Sequence, residues 1–327
     1  MAPSRTELPL DSNFATTKKA TMYLLESFPE DSVKYCQTLF HTILSTDEEV
    51  HNWRDNADAI LVREKVISGE DISSARKLRA IGKQGTGIDI IDKDAADSRD
   101  IAICNTPGIN AQSVAELVLA LTMAVSRQLA DISIKQAAGK EVRKEHCMGI
   151  MLNGKSIGIL GMGAIGTAVA EMYRKAFDAR VWAYDPFASA DAWGNIAHTR
   201  VQNFEDMLPH VDVLTLHIPL NSQTRGLIGL KQLTAMKPNA ILINVARGGI
   251  VDETALTQVL EEGHLFGVGL DCHEIEPPTA QNYRSLWQTG RVISTPHIGA
   301  TTRETVVKTA ISAIDNVWKH LKSTPDA

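Results

Sequence analysis

The chain has 327 residues, of which 44% are hydrophobic and 22% charged, and its formal net charge is −6. This length exceeds one typical domain and suits two, and the composition is that of an ordinary globular protein. The negative net charge argues against nucleic acid or an anionic membrane as a partner, because both would repel it.

The N-terminus and the cysteines indicate a reducing compartment. Residues 1–18 are polar and lack the apolar segment of a secretory signal, so we expect no such signal there. We expect these residues to form a disordered or loosely attached tail. The longest apolar run, 117–125, is too short to span a bilayer. The four cysteines show no C-x-x-C spacing and no cluster, which argues against a disulfide frame or a zinc site. We therefore expect a cytoplasmic protein without a bound metal.

Apolar runs and polar helical stretches alternate from Thr21 onwards. Strands are predicted at 22–25, 42–44, 59–62 and 78–81, with helices at 31–39, from 47, and at 71–76. Such alternation predicts a parallel sheet with helices on both faces.

A long apolar helix is predicted next, over 113–128. Ser113 is its expected N-cap, because Glu116 follows at the spacing of a capping box. We expect this helix to join two lobes of the protein.

A second α/β series follows. Its six predicted strands are 157–160, 181–184, 213–216, 240–244, 267–270 and 292–294. Six strands with intervening helices are typical of a complete dinucleotide-binding sheet. A last amphipathic helix, 303–321, is expected to return to the first lobe, so the fold class is α/β with two doubly wound parallel sheets.

The first strand of this series ends in the pattern G-x-G-x-x-G, formed by Gly161, Gly163 and Gly166, before a helix predicted from Thr167. The unpaired N–H groups and positive dipole end of a helix start suit a pyrophosphate. We expect Gly161 to permit the tight turn, Gly163 to let phosphates approach, and Gly166 to let the helix pack on the strand. The pattern alone is weak, because glycines often follow strands in α/β proteins.

Asp185 gives the glycine pattern more weight. It stands at the end of the second strand, about 20 residues after Gly166. A carboxylate there accepts hydrogen bonds from ribose hydroxyls and repels a 2′-phosphate. Pro186 and Phe187 follow without a basic residue, so the pattern predicts NAD rather than NADP. A solvated aspartate at a strand end is the alternative.

Three later strand ends carry candidate catalytic side chains. Arg247 lies among small residues, and its planar guanidinium suits a carboxylate, although a salt bridge to Asp252 or Glu253 is the alternative. Glu276 and His297 follow the next two strands. Because the carboxyl ends of parallel strands face one crevice, these residues would supply a clamp, a proton donor and a partner for the donor.

Position does not single out one histidine. The chain has ten, and His217 and His273 also lie near strand ends. A histidine at such a place is often structural, so His297 has two competitors.

The motifs resemble those of the D-isomer-specific 2-hydroxyacid dehydrogenases, most closely the D-3-phosphoglycerate dehydrogenase branch. The matching stretches run in order from about Ala59 to the C-terminus. They are KQGTGID at 83–89, NTP at 105–107, SVAE at 113–116, LNGK at 152–155, the glycine turn, 244–253, 271–277 and 295–301.

The resemblance implies a Rossmann cofactor domain, 111–301, inserted into a flavodoxin-like substrate domain formed by 19–110 and 302–327. In this family pattern Arg247 binds the substrate carboxylate and polarises the keto oxygen. His297 is the acid/base, and Glu276 holds and charges it. The implied reaction is the NAD-dependent interconversion of a D-2-hydroxy acid and its 2-keto acid.

The resemblance also implies binding residues and a homodimer built through the cofactor domain. The expected cofactor contacts are Thr86, Gly161, Gly163, Ala164, Ile165, Gly166, Asp185, Pro186, Pro219, Thr224, Val245, Ala246, Arg247, Asp271, His297, Gly299 and Ala300. The expected contacts to the small anionic substrate are Arg63, Gln84, Gly85, Thr86, Gly87, Arg247 and His297.

Departures from the family pattern leave the substrate open. Phosphoglycerate dehydrogenases usually carry Arg-Ser after the third strand of the substrate lobe, whereas Arg63, Glu64 and Lys65 stand here. Glu64 would repel a phosphate unless it points away. Ala164 replaces an arginine often found in the glycine turn, and no regulatory amino-acid-binding domain is expected after 303–321.

Several functions therefore remain. Phosphoglycerate, glyoxylate, hydroxypyruvate and other specialised 2-keto acids are the candidate substrates. An NAD-sensing interaction protein is the alternative of another class, because corepressors that resemble this family keep the same Arg, Glu and His.

Overall fold

The structure of the protein is a computed structural model that describes residues 19–324, so the tail predicted at 1–18 lies outside the described residues. The chain divides into two compact units. The first comprises the described residues of Met1–Gln84, Ile88–Thr106 and Ala310–Ala327, and the second comprises Gly85–Gly87 and Pro107–Thr309.

The first unit contains a five-stranded parallel sheet. Its strands are β1 (Thr21–Leu24), β2 (His41–Ile43), β3 (Ala59–Val62), β4 (Ala80–Lys83) and β5 (Ala102–Cys104). Its helices are α1 (Glu30–Leu39), α2 (Trp53–Asn56), α3 (Gly69–Ser74) and α4 (Lys93–Asp97), with a 3₁₀ turn at Glu48–Asn52. The strand order β2-β1-β3-β4-β5 is that of flavodoxin-like sheets.

This sheet is buried on both faces, which explains its apolar strands. Successive side chains of β1 and β3 enter opposite cores, Met22, Leu24 and Leu61 in one and Tyr23, Ile60 and Val62 in the other. The helix α11 (Arg303–Ser323) covers the first of these faces with Ala313, Ile314 and Val317, as predicted for its return to the first unit.

The second unit contains a seven-stranded parallel sheet. Its strands are β6 (Ser156–Leu160), β7 (Arg180–Tyr184), β8 (Thr199–Arg200), β9 (Val213–Leu216), β10 (Ile241–Asn244), β11 (Gly267–Leu270) and β12 (Val292–Ser294). The order β12-β11-β10-β9-β6-β7-β8 is the Rossmann order with one further strand. The predicted fold class is thus confirmed, although the prediction lacks the short strands β5 and β8.

Helices cover both faces of this second sheet. They are α5 (Ala111–Ser126), α6 (Leu129–Ala137), α7 (Ala164–Phe177), α8 (Leu230–Ala235), α9 (Glu253–Glu261) and α10 (Ala280–Gln288), with 3₁₀ turns at Lys144–His146 and Phe204–His210. The glycines of β11 let α5 lie close to the sheet. A Cβ on Gly269 would stand 3.0 Å from Cβ of Leu121, and one on Gly267 would stand 2.8 Å from a methyl of Val125.

Two helix starts differ from the prediction. Helix α5 begins at Ala111, so Asn110 rather than Ser113 is the N-cap, and the Ser113 hydroxyl instead donates to the carbonyl of Gly299 at 2.7 Å. Helix α7 begins at Ala164 rather than Thr167, inside the glycine pattern.

Among residues 19–324, no single helix is both long and apolar enough to cross a membrane. The pair α5 and α6 meets the length and composition criteria only when taken together, and it is bent by 64° at its break.

Candidate active site

The glycine turn joins β6 to α7 at the point where the order of the second sheet reverses, which is where such sheets bind ligands. Gly161 has a φ of 98°, and a Cβ there would stand 2.4 Å from the carbonyl oxygen of His217. A Cβ on Gly166 would stand 2.1 Å from the carbonyl oxygen of Gly161. Both positions therefore require glycine, one for the turn and one for helix packing.

Gly163 differs from the other two glycines because a Cβ on it would meet no atom within 4 Å. It is the N-cap of α7, so the space beside it faces the N–H groups that the first helical turn leaves without intrahelical partners. An open cradle at a helix start fits a pyrophosphate. The residues of this turn thus fit a dinucleotide cofactor, and Ala164 and Ile165 begin the helix that would receive it.

The Asp185 carboxylate connects the glycine turn to the loop after β7. One oxygen accepts from the Met162 N–H at 2.9 Å and the other from the Phe187 and Ala188 N–H groups at 2.9 and 3.2 Å. A carboxylate offers about four acceptor positions, so one remains for a ribose hydroxyl.

An arginine that the sequence reasoning missed contacts the same loop. The guanidinium of Arg200, on β8, donates to the carbonyls of Asp185, Ala188 and Ser189 at 2.9, 2.7 and 2.6 Å. It therefore braces the loop that holds the carboxylate. The role of Arg200 depends on the position of strand β8. A two-residue strand is too short to show a period in the sequence, so the sequence could not reveal it.

The loop after β10 carries Arg247 on a rigid frame. Buried Asn244 accepts from the Ala246 N–H at 3.1 Å and donates to the Arg247 carbonyl at 2.9 Å. The two carboxylates proposed as alternative partners of Arg247 have other roles. Asp252 caps α9, and Glu253 accepts from the Glu274 N–H at 2.9 Å.

Close backbone packing brings the Arg247 loop against the Glu276 loop. A Cβ on Gly248 would stand 1.9 Å from the carbonyl oxygen of His273, so only glycine fits there. The loops after β10 and β11 therefore touch backbone to backbone, as the parallel strands before them predict.

His297 and Glu276 form a direct pair. Nδ1 of His297 lies 3.0 Å from Oε2 of Glu276, and their side chains are 42% and 36% exposed. Glu276 is itself held by the His273 N–H at 3.1 Å. Burial raises the pKa of Glu276, but the bonds and charge of His297 outweigh it, so the net pKa is lowered.

Asp271 holds the loop of His297 in place. This residue is buried, and its carboxylate accepts from the Thr295 hydroxyl and from the Ile298 and Gly299 N–H groups at 2.6 to 2.8 Å. Its carbonyl accepts from the His297 N–H at 2.8 Å. These bonds hold the His297 loop, and the cofactor contact expected of Asp271 stays a prediction.

A cysteine completes the group around His297. Cys272 is 1% exposed, and its Sγ, a Glu276 oxygen and a His297 nitrogen all lie within 4.8 Å of one another. Hydrogen bonds from Cys272 and Glu276 raise the pKa of His297 above its ordinary value of 6.5. Burial raises the pKa of Cys272, so its thiol is uncharged at neutral pH, whereas Glu276, whose pKa is lowered, is a carboxylate.

The two competing histidines have structural surroundings. Nε2 of His217 lies 3.0 Å from the Thr215 hydroxyl, and burial lowers the pKa of His217 far below 6.5. Nε2 of His273 lies 2.8 Å from the Ser294 hydroxyl, and burial lowers its pKa as well. Both rings are therefore neutral at physiological pH, and of these three histidines His297 is the one whose ring contacts a carboxylate.

The remaining predicted cofactor and substrate contacts lie in loops at strand ends. Thr224 donates to the Pro219 carbonyl at 2.6 Å within the loop after β9, and Gly85, with a φ of 108°, opens the turn that contains Thr86 and Gly87. Val245 and Ala246 are buried, whereas Pro186 is exposed and Ala300 is half-buried. Arg63 and Gln84 belong to the first unit.

Comparison with known proteins finds relatives that match most of this chain. Residues 119–299 match the family model described as the NAD-binding domain of D-isomer-specific 2-hydroxyacid dehydrogenases. The chain is 40% identical over 271 residues to a D-3-phosphoglycerate dehydrogenase of Archaeoglobus fulgidus, covering 82% of this chain and 50% of that protein. The chain spans about half the length of the phosphoglycerate dehydrogenases it matches.

Two similar proteins match over most of their length. A hydroxypyruvate reductase of Thermotoga maritima is 34% identical over 265 residues, covering 81% of this chain and 85% of that protein. The crystal structure of a glyoxylate reductase from Paecilomyes thermophila superposes with a TM-score of 0.84 at 28% identity, covering 95% and 98% of the two chains.

Proposed function

Because the chain belongs to the D-isomer-specific 2-hydroxyacid dehydrogenase family and carries its NAD-binding domain, we propose that it interconverts a D-2-hydroxy acid and its 2-keto acid. One observation carries this proposal. The pair of His297 and Glu276, 3.0 Å apart, lies at strand ends of the same sheet that forms the glycine cradle and positions Asp185.

The NAD cofactor, when bound, supplies or accepts the hydride. The cradle residues Gly161 to Gly166 would hold its pyrophosphate, and Asp185 would hold its adenosine ribose. Protein groups then handle the charge that develops on the substrate, and no metal is needed for that role.

Proton transfer is assigned to His297. Its Nδ1 is engaged by Glu276, so Nε2 is the nitrogen that can donate to the alkoxide formed in reduction and accept a hydroxyl proton in oxidation. The raised pKa keeps a proton on the ring near neutral pH. The guanidinium of Arg247 would bind the substrate carboxylate and stabilise charge on the reacting oxygen.

The loop after β3 favours a substrate without a phosphate. The Glu26 carboxylate accepts from the backbone N–H groups of Arg63, Glu64 and Lys65 at 2.6 to 3.1 Å. Nε of Arg63 also lies 3.3 Å from a Glu64 oxygen. Two carboxylates therefore lie against the backbone N–H groups and the guanidinium of this loop, where they would repel a phosphate. Hydroxypyruvate or glyoxylate therefore fits better than phosphohydroxypyruvate.

A panel of 2-keto acids with NADH tests this function. We expect turnover of glyoxylate or hydroxypyruvate, measured as the loss of nicotinamide absorbance, to exceed that of phosphohydroxypyruvate.

A variant of His297 tests the residue that transfers the proton. His297→Gln should lower kcat by roughly 10²–10⁴-fold while NADH still binds. His51→Gln, at an exposed histidine of the first unit, is the control.

The outcomes of this panel separate the candidates. A preference for phosphohydroxypyruvate would reject the argument from Glu26 and Glu64. Tight NADH binding without turnover of any keto acid would reject the enzyme and favour an NAD-sensing protein.

A homodimer through the second unit is part of the proposal. Large apolar side chains are exposed along residues 123–151, which we call the arm, including Leu129, Ile134, Met148 and Met151 at 52, 68, 80 and 74%. The arm folds back on itself, because the Ile150 N–H donates to the Ser126 carbonyl at 2.8 Å. Exposed apolar side chains gathered in one region favour an interface with a second copy.

A cytoplasmic location stays a prediction that cell fractionation can test.

A further inference from the structure

Cys272, Glu276 and His297 together offer three metal-ligating atoms, a property that the proposed proton transfer does not require. Thiolate sulfur, carboxylate oxygen and imidazole nitrogen are the ligand types of zinc sites. The three ligand atoms already lie within 4.8 Å of one another, and Nδ1 of His297 is 3.0 Å from Oε2 of Glu276. Tetrahedral zinc separates such ligands by about 3.3–3.6 Å, so small side-chain movements would bring them to one ion.

The backbone holds these three residues in place before any ion arrives. The Glu276 carboxylate accepts from the His273 N–H at 3.1 Å, and the His297 N–H donates to the Asp271 carbonyl at 2.8 Å. Cys272 follows β11 directly and is buried between these loops. A frame that is already ordered lowers the entropic cost of binding.

The ion would have access from solvent. The side chains of His297 and Glu276 are 42% and 36% exposed, so an ion can reach two ligands from outside and the buried sulfur last. A fourth position remains for water, as in zinc sites with three protein ligands.

We propose that Cys272, Glu276 and His297 form a binding site for a divalent cation that prefers sulfur and nitrogen ligands, with Zn²⁺ as the expected ion. Binding of the ion releases the thiol proton of Cys272 and the ring proton of His297 to solvent. The bound ion inhibits the enzyme, because it occupies the imidazole and the carboxylate that transfer and stabilise the proton. Mg²⁺ and Ca²⁺ do not bind, because they require oxygen ligands. The inhibition, unlike the binding, rests on the proposed function.

Cobalt binding tests the site without any turnover. Co²⁺ takes the ligands of Zn²⁺, and a cysteine ligand gives it a sulfur-to-cobalt charge-transfer band in the near ultraviolet. We expect one Co²⁺ per chain with this band, displaced by Zn²⁺ and unaffected by Mg²⁺. Cys272→Ala and Cys272→Ser should abolish the band and weaken Zn²⁺ binding by at least about 10-fold, since even outer-shell partners of a metal contribute that much.

Cys104→Ala is the matched control, because this half-buried thiol belongs to the first unit. It should bind Co²⁺ and Zn²⁺ as the wild-type chain does. A wild-type chain without the charge-transfer band would overturn the proposal. So would Zn²⁺ affinity that is unchanged in both Cys272 variants.

Inhibition is measured with the keto acid that the panel identifies. Zn²⁺ should lower the rate of NADH oxidation, EDTA should restore it, and the Cys272 variants should need at least about 10-fold more Zn²⁺ for the same fractional loss. Equal sensitivity of wild type and both variants would show that the ion acts without the sulfur and would overturn the inference. If no keto acid is turned over, the proposed function fails while the cobalt measurement still decides the site.

Discussion

His297 is held in a strained conformation. Its φ of 56° lies in the left-handed region, which costs a non-glycine residue about 1–3 kcal/mol. The hydrogen bonds of its N–H to the Asp271 and Thr295 carbonyls, at 2.8 and 3.1 Å, retain this conformation. Strain of this kind is concentrated at functional sites, and here it directs the imidazole towards Glu276.

Glu276→Gln tests the pairing through the pH dependence of reduction. Reduction requires protonated His297, so its rate falls as pH rises through the pKa of that residue. The neutral amide removes the carboxylate that raises this pKa, and the falling limb should move towards acid by about 1 pH unit or more. Glu274→Gln, an exposed carboxyl in the same loop, should leave the profile in place. An unmoved limb in Glu276→Gln would contradict the pairing.

Asp185→Ala tests the choice of cofactor. The substitution removes the acceptor for the ribose and the charge that repels a 2′-phosphate, while Arg200 remains beside the loop. NADH binding should weaken by about 10-fold or more, and the preference for NADH over NADPH should narrow. Fluorescence titration with both cofactors measures this, with the exposed Asp191→Ala as the control. A wild-type preference for NADPH would refute the ribose argument.

The sequence was most informative where function depends on a strand end. Arg247, Glu276 and His297 could be named because each follows a predicted parallel strand, and such ends face one crevice. Cys272 and Arg200 could not be interpreted in this way, because their contacts come from residues on other strands and loops. The sequence also could not rank His217 below His297, since only burial in the fold lowers the pKa of His217.

At the scale of elements, the start of α7 and the start of α8 form a natural comparison. Gly163 and Gly229 are both N-caps, and a Cβ on either would meet no atom closer than 3.6 Å. Neither φ is positive. A methyl group at either position should therefore leave folding intact.

The paired variants test whether the α7 start binds the pyrophosphate. Gly163→Ala should weaken NADH binding by about 10-fold or more, because its methyl fills the cradle that phosphates would occupy. Gly229→Ala should bind NADH as the wild type does, and the two variants should have similar melting temperatures. Equal NADH affinity in both variants, measured by calorimetry, would place the phosphates elsewhere.

Element boundaries show which local signals are reliable. The predicted strands at 59–62, 213–216, 267–270 and 292–294 are confirmed at the same residues, because short buried apolar runs have abrupt ends. The start of α5 was wrong because the Ser113 hydroxyl bonds to Gly299, a partner far away in the sequence. Capping patterns describe local bonds only and cannot detect such a competitor.

At the scale of the whole molecule, the arm of residues 123–151 determines the expected assembly. Ile134→Asp combined with Met148→Asp would place charges in an apolar interface, so the dimer should dissociate to monomers at micromolar concentration. Analytical ultracentrifugation measures this. Val66→Asp, at an exposed apolar residue of the first unit, should remain dimeric. A wild-type monomer, or a dimeric double variant, would contradict this assembly.

The discontinuous first unit has a consequence for synthesis on the ribosome. Its strands are made first, but one face of its sheet is covered by Ala313, Ile314 and Val317 of α11, which emerge after the whole second unit. At a synthesis rate of about 5–20 residues per second, that face of the sheet stays uncovered for roughly 10–45 s after Gln84 is made, until α11 has been synthesised. The second unit is nearly continuous in sequence and can fold during this interval. Strands that are made before the second unit therefore acquire a complete core only after that unit has been made.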